Sequence, residues 1–356
     1  MTTPVACPHC GGGIRPSDAF CEACGGRLVV DPAAAAVSSA PEHQRTHFVT
    51  APSMQTADFG PCIACGATIA DDGFCSRCGQ RPRSPREHWV ESPSDWVGGV
   101  CDKGISHAGN EDAMALASTP DRSFAALVVC DGVTTAPQSD RASMAASKAA
   151  CALLAAVPRN AGSAAARVSA WRTVLDEACS AANAEAVGVA RTLGDPPEPP
   201  SCTFVAGVVD VDLVAVAWCG DSRAYWIADA GEGSEQLSID HSLGTEMILA
   251  GMSREQAEAD STSHTITRWL GADSIDPTPE FRSRPIDAPG WLLVVSDGMW
   301  NYASSTDELA SLIARATADG ASTPTTIAES LAAFANDRGG RDNITVALAR
   351  CEPPLL

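Results

Sequence analysis

The chain is short of positive charge: 24 Lys and Arg stand against 44 Asp and Glu, a formal net charge of −20. Affinity for a nucleic-acid backbone comes mostly from Lys and Arg, so this balance argues against that function class. The deficit is uneven. Residues 1–90 hold seven basic and eight acidic side chains, which leaves the excess acid downstream. Long apolar runs are also missing, and none approaches the ~20 residues that a membrane span needs. The start, MTTPVACPHC, has neither a basic opening nor the apolar core of a signal segment, so a cytoplasmic protein is expected. A disulfide framework is lacking as well. Cys101, Cys130, Cys151, Cys179, Cys202, Cys219 and Cys351 stand singly, mostly in apolar or Ala-rich context, and read as small buried hydrophobes of a reducing compartment.

The other eight cysteines form four Cys-x-x-Cys pairs before residue 80, in an internal repeat. CPHCGGGIRPSDAFCEACGGR, from Cys7 to Arg27, is echoed by CIACGATIADDGFCSRCGQR, from Cys62 to Arg81. Each pair is followed by Gly, which takes up the tight turn that points two thiolates at one ion. Disulfides or a redox pair are the alternatives. A thioredoxin-like motif, however, occurs once inside a strand–helix unit and does not recur four times in small loop-rich segments. Two structural zinc sites are expected: Cys7, Cys10, Cys21 and Cys24 hold the first ion, Cys62, Cys65, Cys75 and Cys78 the second. Each unit is too small for a core, so the metal supplies the folding free energy. The pair resembles the double zinc ribbon arrangement over residues 5–82, with units at 5–30 and 60–82 and an Ala/Pro/Ser/Thr-rich linker at 31–59. A second, Pro-punctuated connection covers 83–94.

Beyond it, apolar runs at 97–101, 124–130, 203–209, 213–219, 224–228, 291–296 and 344–349 read as strands. VDVDL at 209–213 predicts a tight hairpin and hence antiparallel pairing. Helices are expected at 141–157, 163–191, 244–259, 306–318 and 325–336. Strands grouped in hairpins with helices bunched between them give an α+β layered domain over 95–352.

Four aspartates carry the chemistry: Asp131 in VVCDG, Asp221 in CGDSRAY, Asp297 in LLVVSDG and Asp342 in GGRDNITVAL. Three follow an apolar run and the last precedes one, which sets each carboxylate at a strand end. Carboxylates converging there repel one another unless a hard cation neutralises them. All-oxygen ligation suits Mn²⁺ or Mg²⁺ rather than zinc.

These motifs, with DKGISHAGNEDAMAL at 102–116, DHS at 240–242, AGMSREQAEAD at 250–260 and ITRWLG at 266–271, resemble the metal-dependent protein phosphatases of the 2C type. The resemblance runs through residues 97–350 and implies an α-β-β-α sandwich of two antiparallel sheets with helices outside. It implies a site for two Mn²⁺ or Mg²⁺ ions in which Asp131 bridges the pair and the Gly132 carbonyl holds one of them. Asp297 and Asp342 would ligate the other ion. Glu111 and Asp112 would act through ordered waters, and Asp221 would contribute to a third, weaker ion. The implied activity is hydrolysis of phosphoserine and phosphothreonine in proteins by metal-activated water, with phosphorylated proteins, and a Ser/Thr kinase system, as partners. The zinc ribbons would dock a protein partner.

The chain departs from the family pattern in three places. His107 stands where an Arg usually clamps the substrate phosphate, and a His attracts phosphate only when protonated. DGVTTAPQSDRAS replaces a Gly-rich continuation, and Ser201-Cys202-Thr203 replaces Gly-Thr-Thr. A catalytically weak, phosphoprotein-binding version of the fold is therefore the alternative. Trp269, Trp291 and Trp300 are expected in the core.

Overall fold

The structure, a computed structural model, describes residues 84–158, 162–253, 256–257 and 259–353, and short pieces of the first 81 residues. The chain forms two compact units, Met1–Glu42 and His43–Leu356. In the first, strand β1 (Val5–Ala6) pairs antiparallel with β2 (Gly13–Ile14).

The second unit contains two six-stranded sheets. One is built from β3 (His47–Phe48), β6 (Ala113–Ser118), β7 (Phe124–Cys130), β9 (Phe204–Asp210), β10 (Leu213–Cys219) and β14 (Glu280–Pro285), in the order β14-β10-β9-β7-β6-β3. The other is built from β4 (His88–Ser94), β5 (Val97–Asp102), β11 (Arg223–Ala228), β12 (Glu235–Gln236), β15 (Gly290–Val295) and β16 (Ile344–Cys351), in the order β12-β11-β15-β16-β5-β4. Every pairing in both is antiparallel. A short ribbon joins β8 (Ser201–Cys202) to β13 (Leu270–Gly271).

The period of two along each strand sorts its side chains into layers. On β7, Ala125, Leu127 and Val129 enter the core shared by the two sheets. Phe124, Ala126, Val128 and Cys130 face the opposite way, against helices α1 (Ser139–Ala156) and α2 (Ala164–Thr192). On β16, Ala347, Ala349 and Cys351 point inward, while Ile344, Val346 and Leu348 pack on the far side. That side is covered by α5 (Thr306–Ala318) and α6 (Pro324–Asp337), which follow the short helices α3 (Leu243–Leu249) and α4 (Asp297–Trp300). The architecture is an α-β-β-α sandwich of two antiparallel sheets.

Three sequence readings need correction. Residues 88–94, read as part of a connection, are the edge strand β4, bulged between Glu91 and Ser94 as a strand containing Pro93 must be. The helix expected at 244–259 stops at Leu249, and Gly251 with φ at +99° turns the chain away. Of the three tryptophans expected inside, Trp300 is buried, whereas Trp269 and Trp291 are half-buried. The seven single cysteines are all buried.

Candidate metal centre

Antiparallel topology brings the acidic motifs to one end of the sandwich. β7 and β10 run parallel to each other across β9, so their C-terminal ends, leading to Asp131 and Asp221, share an end with the start of β6 after Asp112. In the facing sheet, β5 and β15 end, and β16 begins, on one side, next to Asp102, Asp297 and Asp342. The two sheets pack so that both groups meet. Asp112, Asp131, Asp221, Asp297 and Asp342 lie close enough to act on one another's charge.

Backbone and hydroxyl contacts fix the geometry. Asp112 is fully buried, and its Oδ2 accepts hydrogen bonds from Ser296 Oγ and Thr345 Oγ1, both at 2.7 Å. The Asp131 N–H donates to Thr203 Oγ1 at 3.0 Å, and that hydroxyl also bonds Ser222 Oγ at 2.7 Å. The Asp221 carbonyl accepts from Trp300 Nε1 at 2.9 Å. Asn343 ties three segments together: its Oδ1 accepts from the Glu111 N–H at 2.7 Å, and its Nδ2 donates to the carbonyls of Lys103 and Gly109 at 2.8 and 3.0 Å. Gly298 lets the Asp297 turn close onto this segment, since a Cβ there would stand 1.9 Å from the Asn343 carbonyl oxygen.

Burial, reinforced by like charge, pushes these carboxyls up. Asp131 is raised well above the usual range by burial first, then by Asp112, Asp297, Asp342 and Asp221. Asp297 is raised in the same way, with Asp221, Asp342 and Asp112 adding to burial. Asp112 is pushed up to about 6 by burial, against the lowering effect of its Thr345 and Ser296 hydrogen bonds. Asp221 is pushed up to about 7 by burial and by Asp240, with Arg223 opposing. Burial also raises Glu111.

Asp297 Oδ1, Asp112 Oδ1 and Glu111 Oε2 are buried without a hydrogen-bond partner. Each such oxygen costs about 1–3 kcal/mol if left unmatched. A hard divalent cation answers both problems: it supplies the missing partner for oxygen and reverses the repulsion. The donor set therefore fits Mn²⁺ or Mg²⁺. No three of the described carboxylates bring one oxygen each within 4.8 Å of one another. Ligands shared by two ions about 3.5–4 Å apart are spread more widely than those around one ion.

His107 lies at this end too. Its Nε2 is 3.2 Å from Asp342 Oδ1, so the imidazole faces a carboxylate. Asn343, Ser296, Thr345 and Thr203 are contributors that sequence reasoning missed. The one available signal was a polar residue interrupting an apolar strand or flanking a catalytic Asp.

In the second cysteine repeat, Cys65, Cys75 and Cys78 place their sulfurs within 4.8 Å of one another. Cys65 and Cys75 Sγ are 3.4 Å apart, far beyond the ~2.05 Å of a disulfide. The Cys75 thiol is lowered to about 6 by the backbone N–H groups of Cys78 and Arg77, which favours the metal-binding thiolate. Gly66 and Gly79, with φ at +72° and +70°, make the turns after each pair, as expected. Cys7, Cys10, Cys21, Cys24 and Cys62 lie outside the described residues.

Comparison with known proteins agrees with this geometry. A family model described as protein phosphatase 2C matches residues 105–334, and one described as double zinc ribbon matches residues 7–79. Protein phosphatase PhpP of Streptococcus pneumoniae is 38% identical over 146 residues, covering 40% of this chain and 55% of its own. The chain thus spans about half the length of the curated relatives it matches. The PPM Ser-Thr phosphatase MsPP of Mycobacterium smegmatis, solved with cacodylate, aligns at 30% identity and a TM-score of 0.53, over 72% of this chain and 98% of MsPP. The catalytic domain of the serine threonine protein phosphatase PstP, solved with two manganese ions, shares the fold at 22% identity and a TM-score of 0.55, over 74% and 98%. The chain belongs to the protein phosphatase 2C family and carries a double zinc ribbon ahead of the phosphatase fold.

Proposed function

We propose that the chain is a Mn²⁺- or Mg²⁺-dependent protein phosphatase acting on phosphoserine and phosphothreonine. The observation that carries this reading is the set of carboxylates gathered at one end of the sandwich, with buried oxygens that lack partners. Asp131, Asp297, Asp342 and the Gly132 carbonyl would hold two ions, with Glu111 and Asp112 supporting them and Asp221 serving a third. When bound, such ions supply positive charge to phosphoryl oxygens and make water a stronger nucleophile.

The protein's own residues do the positioning. Ser296 and Thr345 fix Asp112 and oppose the upward push of burial on its carboxyl, and Thr203 fixes the backbone at Asp131. Asn343 holds the loop bearing Glu111 against the strand that starts after Asp342. No side-chain nucleophile is required, so no cysteine need be exposed, and the single cysteines are buried. The zinc ribbons, nearly neutral in charge, would recruit a protein partner rather than nucleic acid. Among the described residues, no helix is long and apolar enough to cross a membrane.

Turnover of p-nitrophenyl phosphate and of a phosphothreonine peptide by the full chain, with and without Mn²⁺, tests the reading. Turnover that appears only with the ion is expected. Retained phosphopeptide binding without turnover at saturating Mn²⁺ would favour the binding-only alternative.

A further inference from the structure

The loop that carries His107 is bolted to the segment that carries Asp342. The Ile105 and Ser106 N–H groups both donate to the Gly340 carbonyl, at 2.8 and 3.0 Å. Asn343 Nδ2 holds the Lys103 and Gly109 carbonyls from the other side, and Lys103 Nζ donates to the carbonyl of His107 itself at 2.7 Å. Gly104, with φ at +74°, lies so close that a Cβ would stand 2.1 Å from the Asp342 carbonyl oxygen. The approach of His107 to Asp342 is thus imposed by backbone and not by a mobile side chain.

Two donor atoms at 3.2 Å have two explanations, a hydrogen bond or a shared cation. Ligands about 2.0–2.2 Å from one ion and at right angles stand about 2.8–3.1 Å apart, just under the 3.2 Å seen. Asp342 is among the carboxylates that the acidic cluster turns toward one another, and its Oδ1 already accepts from the Asn343 N–H at 2.8 Å. An Arg at position 107 could not ligate a metal, because its guanidinium has no free lone pair at any ordinary pH. A neutral imidazole does have one.

We propose that His107 is a nitrogen ligand to the divalent ion held by Asp342, in place of a phosphate clamp. The inference rests on the metal-dependent reading of the site above. It changes the chemistry of that site. Imidazole nitrogen favours the later first-row ions most and Mn²⁺, first in that affinity order, least among them, whereas Mg²⁺ keeps to oxygen altogether. The chain is therefore selective for Mn²⁺ over Mg²⁺, and Lys103 keeps its own charge beside this loop, with its Nζ on the His107 carbonyl.

The test uses the zinc-replete full chain loaded with Mn²⁺ alone. Electron spin echo modulation of the bound Mn²⁺ shows an imidazole nitrogen coupling, which changes to the ¹⁵N pattern when histidine is labelled. It disappears in His107→Gln and persists in His264→Gln, the histidine stacked on Trp300 near Asp221. Calorimetry of His107→Gln gives Mn²⁺ binding weakened about tenfold with Mg²⁺ binding unchanged, within the 10–100-fold range of ligand-sphere changes. His107→Arg likewise removes the preference for Mn²⁺. Bound Mn²⁺ without histidine coupling, or equal weakening of both ions, overturns the ligand assignment and leaves the phosphatase reading standing. Failure to bind Mn²⁺ at all would overturn both.

Discussion

Asp297 combines the two properties that mark the centre: an Oδ1 buried without a partner, and a carboxyl raised by burial together with three neighbouring aspartates. Replacing it with Asn keeps the shape and removes one negative charge from the cluster. If Asp297 holds the ion as proposed, its loss would remove several kcal/mol of charge stabilisation, so Mn²⁺-dependent turnover is expected to fall about a thousandfold. The metal-free variant should melt higher than the parent, because carboxylate repulsion is relieved. Full turnover in Asp297→Asn would place the metal centre elsewhere. At this scale the aspartates were legible in sequence, each announced by its strand. Asn343 was not, since nothing in RDNIT says that its amide spans three segments. Nor was the partner of His107, which is set by a contact 235 positions away between loops whose pairing no local pattern encodes.

Elements were legible where both faces of a strand are covered by β-branched or large apolar side chains; β6, AMALAS, is covered on both faces but was missed because half of it is Ala. β7, β9 and β10 are continuous apolar runs and were read within a residue or so of their observed ends. β14 reads EFRSRP and was missed because it is an edge strand: Arg282 and Arg284 lie along Glu235 instead of in a core. β4 was missed because it carries Pro93 and a buried acid. That acid, Glu91, reaches across to the other sheet, where its Oε2 accepts the Leu116 N–H at 2.8 Å beyond the end of the two-residue β3. Burial pushes its carboxyl up to about 8, so it is protonated in the folded protein at neutral pH. A pKa raised on folding gives stability that is complete below the unfolded value and is lost as pH rises through the folded one. Stability should thus decline between pH ~4.5 and ~8 by up to about 1.4 kcal/mol per pH unit. Glu91→Gln keeps the acceptor and removes this slope, which denaturant titration across that range would measure. A second prediction concerns the β9–β10 hairpin, where Val211 sits at φ +57°. A β-branched residue is strained there, and Val211→Gly should stabilise by about 1 kcal/mol, a gain of ~2–4 °C in Tm.

Across the whole molecule, the candidate metal ligands divide along the charge. The acidic phosphatase fold offers oxygen ligands, and the near-neutral amino-terminal repeats offer sulfur, so hard and soft ions are sorted by donor type alone. The three cores of the sandwich draw every described member from Trp89 onward, so none depends on the ribbons. Among the described residues of the second ribbon Cys75 alone is buried, so a zinc ion there would supply most of its folding free energy. Purified under reducing conditions, the chain should therefore contain close to two equivalents of zinc that resist mild chelation, while Mn²⁺ exchanges freely from the open carboxylate centre. Cys75→Ser should release one equivalent. Because the sandwich is self-sufficient, the main thermal transition should then stay within about 1 °C of the parent, well inside the ~2–4 °C that 1 kcal/mol produces in a domain of this size. Turnover of a small aryl phosphate should also be retained. Loss of the main transition in Cys75→Ser would mean that the ribbon is part of the phosphatase core, and two equivalents of zinc in that variant would mean that Cys75 is not a ligand.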